Sequence, residues 1–459
     1  MLLELLETQE RLTLNQWKMI AAAILGGALG LSLFFLASFA LGFTNASRNL
    51  ADPRSPLIQL LIGGSSVVGP VFWGWMADLI GRRRAFIAAV LGVSLAGSMM
   101  AVAVDQGGLM TLAALVLIAG FNASGLVVTI LPLVQEFVPA SKRGWVAGMV
   151  IAVISSGLFA SAQGARLTVH IGWRAFLALG LATALVTLLI HAWVPESPRW
   201  LIRHGLHEAA RRSLARALRV EPHSIALPAD LPKMQHMRWH ELFKYRRSVV
   251  ITSVISLAQI CGAGVAALSA GLFVLTLKIN WASVVYLTVG IALAGLAGQF
   301  AMSYLSDAIG RRGSGMLCGF GAALSLALAG YYFTAFLGTL SVFWLLMMVA
   351  SFFSSGSTAI IRPYTAEVWP TGVRASGMGV AYGFGSLGGL LAPRGLELLM
   401  EAPNFFGPPA TPASILLATF FFATWHAIAG LVFWLFAIET RGRSIEEIDT
   451  ALSRVEPGS

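Results

Sequence analysis

The chain has 459 residues, 57% of them hydrophobic and only 11% charged; its mean hydropathy is +0.78. That balance argues against a soluble globular domain and for a chain that lives in a bilayer. The net charge of +10 would suit a nucleic-acid partner, but its distribution follows alternate loops, which is the mark of membrane topology.

Glu4, Glu7, Glu10 and Arg11 precede the first long apolar stretch. This is a poor secretory signal, so the stretch is expected to be retained as an anchor. A membrane helix needs about 20 apolar residues. Twelve stretches meet that need: 17–42, 56–79, 84–104, 109–135, 144–170, 174–194, 247–277, 281–305, 312–334, 338–363, 374–396 and 413–437. Lysines and arginines crowd the termini and the loops after even-numbered spans. Arg48, Arg54, Arg174 and Lys278 lie at the opposite ends, and Arg166, Arg362 and Arg394 lie within spans. Both termini are therefore expected in the cytoplasm. The 48 glycines fit helices that pack closely in lipid.

After span 6 the chain turns polar over 195–246. Leu206 to Leu218 predicts a basic amphipathic helix at the membrane surface or, more plainly, a solvated connecting helix. The expected organisation is an N-terminal six-helix bundle (1–194), a cytoplasmic linker (195–246) and a C-terminal six-helix bundle (247–459). Pro-rich residues 397–412 form the longest external loop. Cys261 and Cys318 fall in spans 7 and 9, where no disulfide is expected, and no metal-ligand spacing or cofactor motif occurs.

Two segments of the chain repeat each other at an offset of about 230 residues, a period too long for a solenoid and right for a duplicated half. Asp78-Leu79-Ile80-Gly81-Arg82-Arg83 returns as Asp307-Ala308-Ile309-Gly310-Arg311-Arg312. Pro132, Glu136, Pro139 and Arg143 return as Pro363, Glu367, Pro370 and Arg374. Two motifs in one order at nearly one offset, in so apolar a chain, point to a secondary transporter built from two repeats around a central path.

These residues resemble a known family. Asp-x-x-Gly-Arg-Arg after spans 2 and 8 is similar to the signature loop of the major facilitator superfamily. Pro195-Glu196-Ser197-Pro198-Arg199-Trp200-Leu201 resembles the sugar-porter motif after span 6, and Glu439-Thr440-Arg441-Gly442-Arg443 its counterpart after span 12. Tyr364-Thr365-Ala366-Glu367-Val368-Trp369-Pro370 is most similar to metabolite, aromatic-acid and organic-ion transporters. The resemblance implies an all-α fold of twelve spans in two pseudo-symmetric bundles, alternating access, no enzyme activity, and a small-molecule substrate crossing the bilayer of the inner membrane.

The charged motif residues sit where helices meet the cytoplasm. Asp78 can neutralise a nearby arginine and cap a helix N-terminus, and Glu136 and Glu367 end helices with Arg143 and Arg374 across a short turn. A network of Asp78, Arg82, Glu136, Arg143, Glu196, Arg199, Asp307, Arg311, Glu367, Arg374 and Glu439 would hold the halves together while the cytoplasmic side is closed and would break on opening. The plainer alternative is that the arginines only enforce topology.

Departures from the sugar-porter pattern bear on substrate. The span-7 stretch Ala258-Gln259-Ile260-Cys261-Gly262-Ala263-Gly264 keeps one amide, and Arg362 stands where sugar porters carry Trp. A hexose site needs many hydrogen-bonding partners, so a hexose is disfavoured. An arginine inside a span suits a carboxylate or phosphate; alternatively it pairs with Glu367 or snorkels. Arg166 is similar. On the spans that line the path in this superfamily, Phe35, Ser38, Phe39, Asn122, Ser124, Gln259, Ser355 and Thr358 are the remaining candidates. Asn122 and Gln259 lead, because a buried amide demands a partner. Span 1 has no ionisable residue from Ile24 to Phe43, and Val116 occupies the usual span-4 arginine position. Proton coupling is thus doubtful, with Asp52, Asp105, His170 and Glu397 as the groups left to serve it. The expected substrate is an organic anion. A sugar or organic-cation carrier, or a transporter-fold sensor or scaffold, are the alternatives.

Overall fold

The computed structural model describes residues 4–47, 55–106, 109–171, 174–225, 239–263, 281–400, 412–448 and 450. Side chains are described for these except 4, 39–47, 55–59, 104–106, 109, 158–171, 174–177, 239, 240, 281–285, 397, 400 and 412–414. Apolar runs in lipid have one way to satisfy their backbone without a sheet partner, which is to coil into helices. The long helices are α2 (Leu14–Ser47), α3 (Ser55–Ile80), α4 (Arg82–Gln106), α5 (Leu109–Gln135), α6 (Arg143–Ile171) and α7 (Arg174–Trp193), following a short α1 (Glu4–Glu7). Next come α8 (Pro198–Arg203) and α9 (His207–Leu218), then α10 (Arg246–Gly262), α11 (Trp281–Ile309), α12 (Arg311–Tyr331), α13 (Val342–Glu367), α14 (Arg374–Met400) and α15 (Pro412–Leu435).

Among the described residues, eight of these are long and apolar enough to cross a membrane: α2, α3, α4, α5, α11, α12, α13 and α15. The other four predicted stretches also fall on helices, namely α6, α7, α10 and α14, without reaching that measure over their described residues. The chain is a multi-pass membrane protein. Among the described residues its helical fold carries one exception: Phe336–Leu337 (β1) and Leu340–Ser341 (β2) pair antiparallel, Phe336 with Ser341. Gly338, at φ +63°, supplies the left-handed residue the tight turn needs. Predicted span 10 therefore begins at Val342 rather than residue 338.

The chain divides into two compact units. The first comprises Met1–Val249, Thr365–Gly383 and Gly442–Ser459; the second comprises Val250–Tyr364 and Phe384–Arg441. The first unit buries a core from α2 to α7, including Val90, Leu126, Ile130 and Ile154, and Ala366, Ala375 and Met378 join it from late in the sequence. The second unit packs Ile291, Leu326, Phe343, Met347, Leu396 and Phe422. Polar residues in the spans mostly satisfy themselves locally: Ser94, Thr129, Thr183, Ser303, Ser325 and Thr419 each donate to a carbonyl four residues back.

The amphipathic segment forms helix α9, but protein covers its apolar face. Leu214 and Ala215 pack with Leu6 and Ile225, and Ala210 packs with Trp200 and Leu201. A membrane-surface helix would lay that face on lipid; here the N-terminal segment and α8 take the lipid's place.

Cys261 and Cys318 are free and buried, as expected of thiols in apolar spans. Residues 401–411 and Asp52 lie outside the described residues.

Candidate functional site

In the first unit, α3 ends at Ile80 and α4 begins at Arg82, so the chain must reverse direction over one residue. Gly81 does this at φ +106°, a backbone that other residues adopt only with strain. The exposed amide nitrogens at the α4 N-terminus form a positive end that attracts an anion. Glu196 supplies it: its Oε1 accepts from Arg83 N at 3.1 Å and from Ser197 N at 3.0 Å. A Cβ on Gly81 would collide with that carboxylate. Burial pushes the Glu196 carboxyl above its ordinary value, against the opposing pull of the two amides and the Arg82 charge.

The second unit repeats the device. Gly310, at φ +91°, joins α11 to α12, and Glu439 accepts from Arg311 N at 2.9 Å and Arg312 N at 3.1 Å. Asp307 pairs with Arg311 at 2.6 Å. The second arginine of each loop closes a helix end: Arg83 donates to the His191 carbonyl at 2.7 Å, and Arg312 donates to the Trp434 carbonyl.

Asp78 is the centre of a larger cluster in the first unit. Its Oδ1 lies 3.1 Å from Arg82 Nη2, and its Oδ2 accepts from Ser376 N and Oγ at 2.8 and 2.7 Å. Asp78 thus caps the N-terminus of α14, whose first residue is Arg374. Arg82 donates to the Thr371 carbonyl at 2.9 Å and lies 3.4 Å from Glu136. Glu136, fully buried, lies 3.4 Å from Arg374 and accepts from Ser197 Oγ. Arg374 also donates to the Trp369 carbonyl at 3.1 Å. A cavity of about 420 Å³ flanks Asp78 and Arg82, walled by Trp75, Trp200, Arg203 and Gly372.

The sequence set Glu136 and Arg143 across a short turn in one charge network. The structure pairs Glu136 with Arg82 and Arg374, and Arg143 with Glu7 at 3.1 Å and the Arg443 carbonyl at 3.3 Å. Glu367 is buried and acts on Arg143 through its charge. Arg199 links three carboxyl-bearing residues: it meets Glu446 at 3.0 Å and Glu7 at 3.2 Å, and donates to the Glu136 carbonyl at 3.0 Å. Burial pulls the Arg199 guanidinium down, but Glu446, Glu136 and Glu7 outweigh it and hold the charge firmly.

Four participants were not singled out from sequence. Ser376, Ser197 and Glu446 gave no signal beyond adjacency to motif residues, and Glu7 sits in a segment without pattern. Ser197 does follow a readable rule: it precedes Pro198 at the start of α8 and caps Trp200 N at 3.1 Å.

The intramembrane candidates make contacts of their own. Ser38 donates to the Phe34 carbonyl at 2.9 Å, and Phe35 packs on Phe34. Asn122 donates to the Ile118 carbonyl at 2.8 Å and packs on Gly92 of α4. Ser124 bonds the Phe121 carbonyl at 3.0 Å. In the second unit Gln259 Nε2 donates to Thr358 Oγ1 at 2.8 Å, joining α10 to α13, Ser355 packs on Gly295 of α11, and Arg362 lies half-buried on α13. The side chains of Phe39, Asp105, Arg166, His170 and Glu397 lie outside the described residues, though their backbones are helical.

The model of the family described as "Sugar (and other) transporter" matches residues 19–452. A niacin transporter from Acinetobacter baylyi is 27% identical over 406 residues, spanning 83% of this chain and 84% of the relative. Myo-inositol transporter 2 from Schizosaccharomyces pombe is 26% identical over 437 residues, 88% and 75% of the two chains. The E. coli proton:xylose symporter superposes with a TM-score of 0.76 at 19% identity, over 95% of this chain and 99% of that one. This is a transport family, not a catalytic one, and its members move small solutes by alternating access. From its matched length, its helices and its two Gly-Arg-Arg loops, the chain belongs to the sugar (and other) transporter family of the major facilitator superfamily.

Proposed function

We propose that this secondary transporter carries a small organic anion, a carboxylate metabolite, through twelve spans of the inner membrane with both termini in the cytoplasm. The observation that carries the reading is Arg362, an arginine on a membrane helix one and a half turns before Glu367 ends it. A guanidinium in that setting is costly unless it serves a partner, and its planar fork matches a carboxylate. The similarity to a niacin transporter supports the same chemistry. Gln259 and Thr358 on α10 and α13, with Phe35, Ser38, Asn122 and Arg166 on α2, α5 and α6, are the proposed remaining contacts. The reading assigns no proton step to α2, whose described part from Ile24 to Ser38 has no ionisable side chain.

The cluster of Asp78, Arg82, Glu136, Glu196, Arg199, Arg143, Glu367 and Arg374 is the proposed cytoplasmic gate, with Asp307, Arg311 and Glu439 as its counterpart in the second unit. It joins residues from both halves of the sequence by bonds that opening would have to break.

Thermal stabilisation of the purified protein by organic acids, amines and sugars tests the substrate class, because a ligand raises the melting point in proportion to its occupancy of the native state. Acids should stabilise the wild type and not Arg362→Ala. Stabilisation by sugars or amines alone, or by acids equally in both proteins, would overturn the anion reading. A polyol is the second reading, favoured by the Gln259–Thr358 pair, which offers an amide and a hydroxyl to a hydroxylated solute.

A further inference from the structure

A histidine lies fully buried on α15, and none of the sites described so far uses it. His426 Nε2 is 3.2 Å from the carbonyl oxygen of Gly262, the last residue of α10. Gly262 stands near the middle of the apolar stretch 247–277, so a span over that stretch would put this helix end deep in the membrane. The last four carbonyls of any helix lack partners within it, and in lipid each unsatisfied one costs several kcal/mol. One of them, at Ile260, accepts from Ala263 N at 3.2 Å. The Gly262 carbonyl accepts from His426.

The geometry fixes the imidazole. A carbonyl only accepts, so Nε2 carries the proton and donates. Nδ1 then holds a lone pair, and it is buried with no hydrogen-bond partner among the described residues. A second proton there would add a buried donor with nothing to receive it. The ring also lies flat against the helix end: a Cβ at Gly262 would sit 2.7 Å from Nε2 and 2.8 Å from Cε1. Only glycine leaves the ring room. The backbone of His426 is itself pressed against α12, where a Cβ on Gly319 would come within 2.9 Å of the His426 carbonyl oxygen. The titratable side chains beside these contacts are Cys261 on α10 and Cys318 on α12, both buried thiols.

We propose that His426 is a positioning residue of the transporter: as a neutral donor it caps α10 in mid-membrane and so holds Gln259, three residues before the cap, in its bond to Thr358. The role of Gln259 toward solute rests on the function proposed above; the cap does not. No charge partner is needed, which distinguishes this histidine from a proton carrier.

Amide hydrogen exchange on the purified full-length protein tests it, with nicotinate and myo-inositol as binding probes. Losing one hydrogen bond at a helix end should speed exchange by about five-fold. In His426→Leu, residues 259–263 should exchange faster while 251–256 stay as in the wild type. His426→Gln, which keeps a donor, should restore protection, and Gly262→Ala should reproduce the Leu variant by displacing the ring. Unchanged exchange at 259–263 in His426→Leu overturns the proposal. So does acceleration spread equally over α12 and α15, which would mean lost packing and not a lost cap. Local acceleration combined with wild-type binding of both probes by Gln259→Ala keeps the cap and removes Gln259 from the solute site.

Discussion

Asp78 holds Ser376 twice, through its backbone nitrogen at 2.8 Å and its hydroxyl at 2.7 Å. One carboxylate oxygen from the end of α3 thereby caps the first turn of α14, 298 residues further along the chain. The other oxygen is given to Arg82. A residue placed this way is strong only while α14 stays put, which is what the proposed gate requires.

Removing parts of that contact should have graded effects. Ser376→Ala deletes one hydrogen bond and leaves the backbone one, a loss of about 1 kcal/mol, or roughly five-fold in the closed-to-open ratio. Asp78→Asn also removes the ion pair and the charge at the helix N-terminus, so its effect should be at least double in free energy. Exchange of the amides from 374 to 379 reads both. Equal behaviour of the two variants would mean that the charge of Asp78 is idle.

Glu136 should be the least replaceable member of the cluster. It is fully buried between Arg82 and Arg374, which are themselves buried. Glu136→Ala takes a shared carboxylate from two buried guanidinium groups, leaving Arg82 with Asp78 and Arg374 with the Trp369 carbonyl, a cost of about 3–5 kcal/mol. A large fall in melting temperature is expected, and Arg374→Ala in the same background should recover part of it because one buried positive charge is gone. A further fall in the double variant would show that Arg374 stabilises through Trp369 and not through Glu136.

How far the sequence disclosed this arrangement differs from residue to residue. Asp78, Glu136 and Arg374 were visible because a duplicated motif marks them twice. Their partners were not, because spacing along the chain names the members of a network and not its pairs, whereas packing delivers Arg374 to Glu136 from 238 residues away. Helix α9 was visible from its period of 3.6, but no pattern in its own residues says that Leu6 would cover it. His426 escaped notice since a single histidine in an apolar run carries no periodic signal, and its meaning depends on where α10 ends.

The two loop glycines make a matched pair of tests. Gly81→Ala and Gly310→Ala each force a side chain onto positive φ and into a capping carboxylate, Glu196 or Glu439. Backbone strain of this kind costs about 1–3 kcal/mol. Both variants should lose thermal stability by similar amounts. A loss at one site alone would mean that the two halves, though alike in sequence, do not lean equally on this device.

Two carboxylates of the first unit should respond to pH in opposite senses. Burial would raise the Glu446 carboxyl, but Arg199 overrides it and holds it below its ordinary value near 4.5. Its contribution is therefore complete above that value and lost as pH falls through the lower, folded one. Glu196 is raised, so its buried charge costs stability at neutral pH and that cost lifts as pH falls. Glu446→Gln should flatten the acid limb of a melting-temperature profile, and Glu196→Gln should raise the neutral plateau relative to that limb. Because Glu446 is half exposed, its effect should shrink in high salt. An acid limb untouched by Glu446→Gln assigns it to other groups.

Glu7 tests whether the N-terminal segment belongs to the proposed gate. Its carboxylate touches Arg143 at 3.1 Å and Arg199 at 3.2 Å and accepts from Ala140 N at 2.7 Å. Around it, Thr13 donates to the Ala217 carbonyl at 2.5 Å and Gln16 to the Phe137 carbonyl at 2.8 Å, strapping the segment across α9 and the end of α5. Both arginines are buried, so Glu7→Ala strands charge in a way that an exposed pair would not, at a cost of about 2–3 kcal/mol. The expected result is faster amide exchange at 140–146 and 198–203, together with slower transport, from a substitution more than a hundred residues away in sequence. Deleting residues 1–10 should do the same. If the deletion exchanges and transports like the wild type, Arg143 and Arg199 are sufficiently held by Arg443, Glu136 and Glu446, and the segment is only a cover for α9.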